Sequence, residues 1–508
     1  MNRWRRSPQT LLIAIGLLLG MAVLPTIAGC TQGVTSPISR VIQAVGDRLH
    51  PLPAEAQVEY DRFAEVFAKY ATDPEDAEER LRYFEFAFKR IRTSYVKSVD
   101  DKTLIDTAIS GIEKKKPKPA TLSPAELVET ALDAMTASLD PHSGYLNAQE
   151  LNESFVHTKG EFGGLGIEVT MEDGLVKVVA PIEDTPAARA GMLSGDLIVK
   201  VDGGAIKGLT LAQAVRRMRG RPGAPIKLLV RRADVDDFEV TIVRAVIKVR
   251  AVRWQTFGRV GYVRVSRFSE RVETGIVKAF ASLRSELGGE PDGIVLDLRN
   301  NPGGLLDQSI VLADAFLEKG EVVSVRGRNP ENRRSFKSTS GDIASGLPMI
   351  VLINGGSASA SEIVASALKV HGRATVMGGK SFGKGSVQTI IPLPVEGALR
   401  LTTALYYGPD GNTIQARGVE PNIVIEMDDK PKARKREADL PGAMLAAGAV
   451  AAAKQVARIP EKACPAADAP RRTGREPGKD RVLGCALAFI KAESREKFIA
   501  AYGSRQQM

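Results

Sequence analysis

The sequence predicts a mixed α/β chain: a layered core of sheet and helices, an N-terminal helical segment, and a smaller β-rich domain inserted between them. Three observations carry that expectation. Beyond residue 250, short apolar runs at 293–298, 349–354 and 374–377 alternate with helical stretches, the order that builds a sheet between helices. Between 155 and 245 the pattern changes to glycine-rich turns and alternating strands such as residues 167–171. Between 80 and 150 the apolar residues recur at helical spacing: Leu81, Phe84, Phe88, Ile91 and Tyr95, then Leu127, Ala131, Leu132 and Met135. With 508 residues, 44% of them hydrophobic and 26% charged, the chain is long enough for roughly two to four domains.

In chain order, residues 1–30 read as a targeting segment. Arg3, Arg5 and Arg6 precede an apolar run over 11–23. The following Ile27-Ala28-Gly29-Cys30 resembles a bacterial lipoprotein cleavage box, in which Cys30 is lipidated and becomes the mature N-terminus. Two alternatives stand beside it: an uncleaved anchor over 11–27, interrupted by Pro25, and an ordinary cleaved signal. All three put the bulk of the chain outside the cytoplasm, in a bacterial periplasm at a membrane. No later run reaches the ~18 apolar residues of a span. Residues 31–79, with Thr, Ser, Gly and Pro and a polar helical stretch, read as a tether.

Residues 80–150 form the helical part of the core, with a loop at 114–119. It ends at Leu139-Asp140-Pro141-His142-Ser143, a helix stop in its own right. His142 is one of four histidines and so a candidate base, but the turn chemistry favours a structural role. The net charge of +10 is spread over solvated faces, apart from the basic stretches at 114–118 and 430–436. No basic–aromatic interleaving accompanies it, which argues against nucleic acid.

Residues 155–245 carry Gly163-Gly164-Leu165-Gly166-Ile167 ahead of an alternating strand. A capped short helix (185–191), a strand and turn (195–203) and a helix capped by Thr210 follow in order. This ordered set resembles a PDZ domain. The resemblance implies that Gly164, Leu165, Gly166 and Ile167 present N–H groups to the terminal carboxylate of a peptide, which adds as a strand. A small β-domain without a ligand is the alternative.

The core proper runs over 250–428. Its strand at 293–298 ends in Arg299-Asn300-Asn301-Pro302-Gly303-Gly304, a turn that exposes backbone N–H groups before a helix. The strand at 349–354 ends in Gly355-Gly356-Ser357-Ala358-Ser359, and a helix follows. A serine at a strand end and on a helix's first turn sits where developing negative charge is favoured. It needs a base. Lys384, between Gly383 and Gly385, supplies one: a buried lysine loses pKa and can act as a neutral amine near pH 7.

The segments Asn354-Gly-Gly-Ser-Ala-Ser-Ala-Ser-Glu-Ile363 and Ser381-Phe-Gly-Lys-Gly-Ser-Val-Gln388 resemble the signature blocks of the C-terminal processing peptidases, or tail-specific proteases. So do the 139–145 turn and the 297–304 loop. The resemblance implies a serine endopeptidase with Ser359 as nucleophile, Lys384 as base and Gln388 positioning the lysine. It implies an oxyanion hole from the N–H groups of Ala360 and Gly304, or Gly303 if the register shifts by one. Lys384 and Gln388 share a strand face, but four residues of straight strand span ~13 Å, so contact requires a bend. The family's Gly-Ile-x-Pro-Asp stretch appears as Gly418-Val419-Glu420-Pro421-Asn422. Substrates would be proteins with free, loosely folded C-termini, and no metal or cofactor is required. A homo-oligomer or an adaptor protein is a further partner the resemblance implies. Two rivals are a Ser–His hydrolase using His371 or His142, and a tail-binding adaptor with an inactive core.

Residues 429–508 form a C-terminal tail, rich in Lys, Arg, Pro and Ala over 430–480 and ending in a helix at 482–502. With Cys30 lipidated, Cys464 and Cys485 remain as a pair, expected as a disulfide in an oxidising space or else as two free thiols. Their spacing suggests no metal.

Overall fold

Apolar runs between 252 and 460 assemble into a seven-stranded sheet. In spatial order its strands are Val252–Phe257, Val260–Val265, Gly293–Asp297, Met349–Ile353, Thr375–Gly378, Ile423–Glu426 and Ala457–Pro460. All neighbours are parallel except the first pair, a hairpin. The computed structural model describes residues 51–182, 184–427, 435–446, 456–470, 478–492 and 494–503. Every residue of Gly293–Asp297 and Met349–Ile353 is buried, which is why both strands read as continuous apolar runs. On one face Ile294, Leu296, Val351 and Ile353 pack against the helices Val272–Leu287, Leu306–Asp314 and Ala360–Val370. On the other, Val295, Ile350 and Leu352 meet Leu483 and Phe498.

That second face is covered by the C-terminal tail. The expected single helix at 482–502 is two helices, Arg481–Lys491 and Arg495–Tyr502. The break has a local cause: Ser494 caps the second helix by accepting from Lys497 N–H, as Asp480 caps the first through Leu483 N–H. Cys464 and Cys485 are joined, with Cα atoms 4.9 Å apart. Cys30 lies outside the described residues.

A five-stranded antiparallel sheet stands beside the core. It contains Gly144–Leu146, Ala398–Tyr407, Glu321–Gly327 and Arg334–Lys337, with Ser386–Pro392 paired to Ala398–Tyr407. Leu399 and Leu401 pack under the helical segment. This segment corrects two expectations. Part of the stretch read as a tether is the helix Ala54–Tyr70, with Ala56, Phe63, Phe67 and Tyr70 buried, and Phe63 stacks on Phe84 at 3.7 Å between ring centroids. The helix Asp101–Lys114 was not foreseen, although Asp100 caps it through Thr103 N–H.

The inserted domain has the sheet order Ile167–Glu172, Leu175–Pro181, Leu197–Val201, Pro225–Arg232, Val235–Val243. The helix Leu211–Met218 starts at a Thr210–Gln213 capping box. The chain enters and leaves through one antiparallel ribbon, Glu161–Gly164 against Ala245–Lys248. Glu161 also pairs with Arg271 of the core.

Candidate active site

Two parallel strands at the centre of the seven-stranded sheet end side by side, Gly293–Asp297 and Met349–Ile353. Their carboxyl-end loops carry Gly304 and Ser359, the position in open α/β sheets where ligands bind. Asn301 fastens the loops together. Its carbonyl accepts from Ala358 N–H at 3.0 Å and from Ser361 Oγ at 2.9 Å, and its amide donates to Val265 O at 2.9 Å.

Ser359 is held at φ 55°, ψ −114°, a backbone state that a non-glycine residue rarely adopts. The surroundings enforce it. Ser359 N–H donates to Glu362 Oε2 at 2.8 Å, and the N–H groups of Glu362 and Ile363 reach Ser359 O at 2.8 and 3.0 Å. The helix start is thus satisfied by backbone and Glu362, and the Ser359 hydroxyl makes no hydrogen bond among the described residues. It faces a pocket of about 650 Å³ lined also by Lys384, Gln388, Gly303, Gly304 and Arg400.

Glu362 carried no assignment in the sequence reading. It is fully buried and accepts four hydrogen bonds: from Ser381 Oγ and Gly383 N–H on Oε1, and from Ser359 and Lys384 N–H on Oε2. One carboxyl therefore ties the serine turn to the lysine loop. Burial pushes its pKa up to about 7, against the pull of those donors. The Ser-x-x-Glu spacing of 359 and 362 is the one available sequence signal.

Lys384 lies two residues before the strand Ser386–Pro392. Burial is the largest influence on its amine and depresses its pKa; Glu437 is the largest opposing influence, with Asp140 and Glu362 also opposing, while Arg400 adds to the depression. Its Nζ makes no hydrogen bond among the described residues, so lysine and serine share the pocket without bonding to each other. Catalytic hydrogen bonds commonly close only once substrate is bound. Gln388 lines the same pocket, but its amide donates to Ser386 Oγ at 2.9 Å and Thr402 Oγ1 at 3.2 Å, not to the lysine. The strand does bend there: its pairing slips between Val387 and Gln388.

The two candidate glycines differ in the partners of their N–H groups. Gly303 N–H is spent on Asn301 Oδ1 at 2.9 Å, whereas Gly304 and Ala360 N–H have no acceptor among the described residues. Gly303 packs against the serine turn so closely that a Cβ on it would lie 2.9 Å from Ser359 Cβ and 3.0 Å from Ala360 N. Gly304 reaches φ +144°, a conformation only glycine adopts readily.

The two candidate histidines lie elsewhere. His142 Nε2 bonds Glu437 Oε2 at 2.7 Å, and His371 Nε2 bonds Glu321 O at 2.7 Å; neither lines the Ser359 pocket. In the inserted domain, Ile167–Glu172 is an edge strand open to pairing. The N–H groups of Leu165 and Gly166 have no protein acceptor among the described residues, while Gly166 O accepts from Ile182 N–H and Thr185 Oγ1. Among the described residues no cluster of His, Cys, Asp or Glu could hold a metal, and no helix is long and apolar enough to cross a membrane.

Residues 259–425 match the model of peptidase family S41, and residues 163–242 match that of the PDZ domain. A carboxy-terminal-processing protease of Bartonella bacilliformis is 51% identical over 349 residues, spanning 68% of this chain and 75% of that protein. The carboxy-terminal processing protease CtpA of Bacillus subtilis is 32% identical over 356 residues, 70% of each chain. A solved photosystem II D1 C-terminal processing protease is 27% identical, spans 68% of this chain and 92% of its own, and superposes with a TM-score of 0.42.

Proposed function

This chain belongs to the carboxy-terminal-processing serine proteases of peptidase family S41, and on that premise we propose that it cleaves proteins near their C-termini with a Ser359–Lys384 dyad. Ser359 Oγ attacks the scissile carbonyl. Lys384, neutral in its buried loop, accepts the hydroxyl proton and returns it to the leaving amine. Gly304 and Ala360 N–H receive the oxyanion. Gln388 acts on the lysine through Ser386 and the strand they share rather than by contact.

The observation that carries this reading is the convergence, in one pocket, of Ser359, Lys384 and Gly304, whose N–H is unspent among the described residues, with the equally unspent Ala360 N–H on the residue after the serine. The glycine-rich loop before Ile167–Glu172 would take the substrate's terminal carboxylate on Leu165 and Gly166 N–H, with Gly164 and Ile167 framing it, while the tail pairs with the edge strand. The basic and apolar pattern of the first 30 residues and the Cys464–Cys485 bond support the further reading of a periplasmic enzyme tethered to the membrane through its N-terminus. The decisive experiment incubates purified protein with a substrate bearing an unstructured tail, beside Ser359→Ala. Cleavage by wild type alone supports the dyad. Cleavage by neither protein favours a tail-binding adaptor, and cleavage by both removes Ser359 from the chemistry.

A further inference from the structure

The match to the peptidase family ends at residue 425. Residues 435–446 lie beyond it, yet they return to the lysine loop and bury a carboxyl there. Glu437 has no exposed surface. Its N–H donates to Phe382 O at 3.2 Å, two residues before Lys384. Its Oε1 accepts from Gln415 Nε2 at 2.8 Å, and Gln415 Oε1 accepts in turn from Gly385 N–H at 2.9 Å, one residue after Lys384. Its Oε2 bonds His142 Nε2 at 2.7 Å. The glutamate therefore grips the loop on both sides of the lysine, and it anchors that grip to the 139–145 turn.

We propose that Glu437 is a positioning residue for the general base: it fixes the Lys384 loop from the C-terminal segment and keeps a negative charge facing the amine. A buried carboxyl needs such partners to be tolerated at all. Both of its oxygens are satisfied by the Gln415 amide and the His142 ring rather than by Lys384, so the amine is left unbonded for the serine. The charge still favours the protonated lysine, and among the influences opposing burial it is the largest. The other charged groups facing Lys384 are Glu362 from the helix behind Ser359, Arg400 from the neighbouring strand and Asp140 from the turn, with His142 beyond Glu437. Arg267, Glu150 and Glu153, with the hydroxyls of Tyr145 and Tyr406, line the same pocket.

The proposal rests on Lys384 as the base. Its test is the pH profile of kcat for the full chain as wild type, E437Q, E437D and K384A. The charge-free E437Q is expected to keep its fold, lose turnover on the plateau, and move its acid limb to lower pH by about one unit or more, the effect of removing an opposite charge nearby. E437D keeps the charge but shortens the reach, so its limb stays with wild type while kcat falls about tenfold or more. A glutamate that merely stabilises the fold would leave the limb of E437Q in place, and that result overturns the proposal. So does an E437D limb that moves as far as that of E437Q. Should E437Q not fold by circular dichroism, E437D decides alone: wild-type kcat, or a moved limb, refutes. K384A separates the two levels of inference. If it cleaves with the wild-type limb, the dyad reading itself is wrong; if it is inert, the Glu437 outcome stands by itself.

Discussion

Replacing Gly304 by alanine tests the oxyanion site at a single atom. The added Cβ would lie 2.0 Å from the Phe268 carbonyl oxygen. That oxygen accepts Leu305 N–H at 2.9 Å, and Phe268 N–H donates to Gly303 O at 3.0 Å, so it cannot move independently of the loop. Real Cβ contacts stay above 3.0 Å, so the loop must shift by at least 3.0 − 2.0 = 1.0 Å. The φ of +144° adds strain for any residue with a side chain. A displacement of that size at a reacting centre costs ~10²-fold, and losing an oxyanion donor outright costs ~10²–10³-fold. The expectation is a kcat lowered by about 10²–10³ with KM little changed, because the donor acts on the transition state. Steady-state cleavage of a substrate with an unstructured tail measures both constants, and circular dichroism with a melting curve confirms the fold. A natively folded G304A that loses less than about tenfold in kcat would remove Gly304 from the mechanism.

The remaining expectations concern the base, the tail-binding loop and the C-terminal staple. Lys384→Ala should abolish cleavage, whereas His142→Gln and His371→Gln, assayed one at a time, should each lose far less than the ~10²–10⁴-fold that removing a general base costs; a His variant as inert as K384A would reverse the assignment. Burial lowers the Lys384 pKa, and the proposed dyad makes the neutral amine the active form, so kcat should rise with pH through that depressed value, and a flat profile between about pH 5 and 9 would contradict it. A peptide with a free C-terminus should bind about 10–100-fold more tightly than its amide, the worth of charge-assisted hydrogen bonds at 1.5–3 kcal/mol. Gly166→Ala should erase that difference, since its Cβ would fall 2.2 Å from Thr185 Cβ; fluorescence polarisation reads both, and equal binding of acid and amide by wild type would rule out carboxylate capture. Removing the Cys464–Cys485 bond, which spans 21 residues, should lower stability by about 3 kcal/mol in denaturant titration, and an unchanged midpoint would show that the tail is held by packing alone.

Ser359 and Lys384 were legible in the sequence because each sits among glycines beside an apolar run, and such local chemistry needs no knowledge of what lies nearby in space. Gly304 was legible to within one residue; the choice between it and Gly303 turned on which N–H the Asn301 side chain consumes, a matter of backbone direction that no residue pattern states. Gln388 was expected to position the lysine, by contact only if the strand bends, and the structure gives its amide Ser386 and Thr402 as partners. The bulge at Val387 and Gln388 supplies the bend that a straight strand lacked, but it turns the amide along the sheet. The helix Ala54–Tyr70 falls in a stretch read as a polar helical part of a tether, because its few apolar residues declare no packing until a partner surface exists to bury them; the helix Asp101–Lys114 was not named, although its Leu104, Ile105, Ala108, Ile109 and Ile112 recur at helical spacing.

Glu362 and Glu437 show where local reading ends. Glu362 lies three residues after Ser359, and its spacing alone would have suggested a helix cap. That it also holds Ser381, Gly383 and Lys384 depends on the parallel order of Met349–Ile353 and Thr375–Gly378, which delivers the lysine loop over the serine turn. Glu437 depends on more: the chain must complete the seven-stranded sheet as far as Ile423–Glu426 before the tail can fold back over the loop. A charged residue in a stretch rich in Lys, Arg and Pro reads as solvent-facing, and most are. Only closure of the sheet turns this one inward, where an unpartnered carboxylate would be costly and where Gln415 and His142 make it tolerable. Elements follow from periodicity, but the loops that meet follow from strand order, so the parts of this site drawn from one turn could be read in advance and the part that spans two could not.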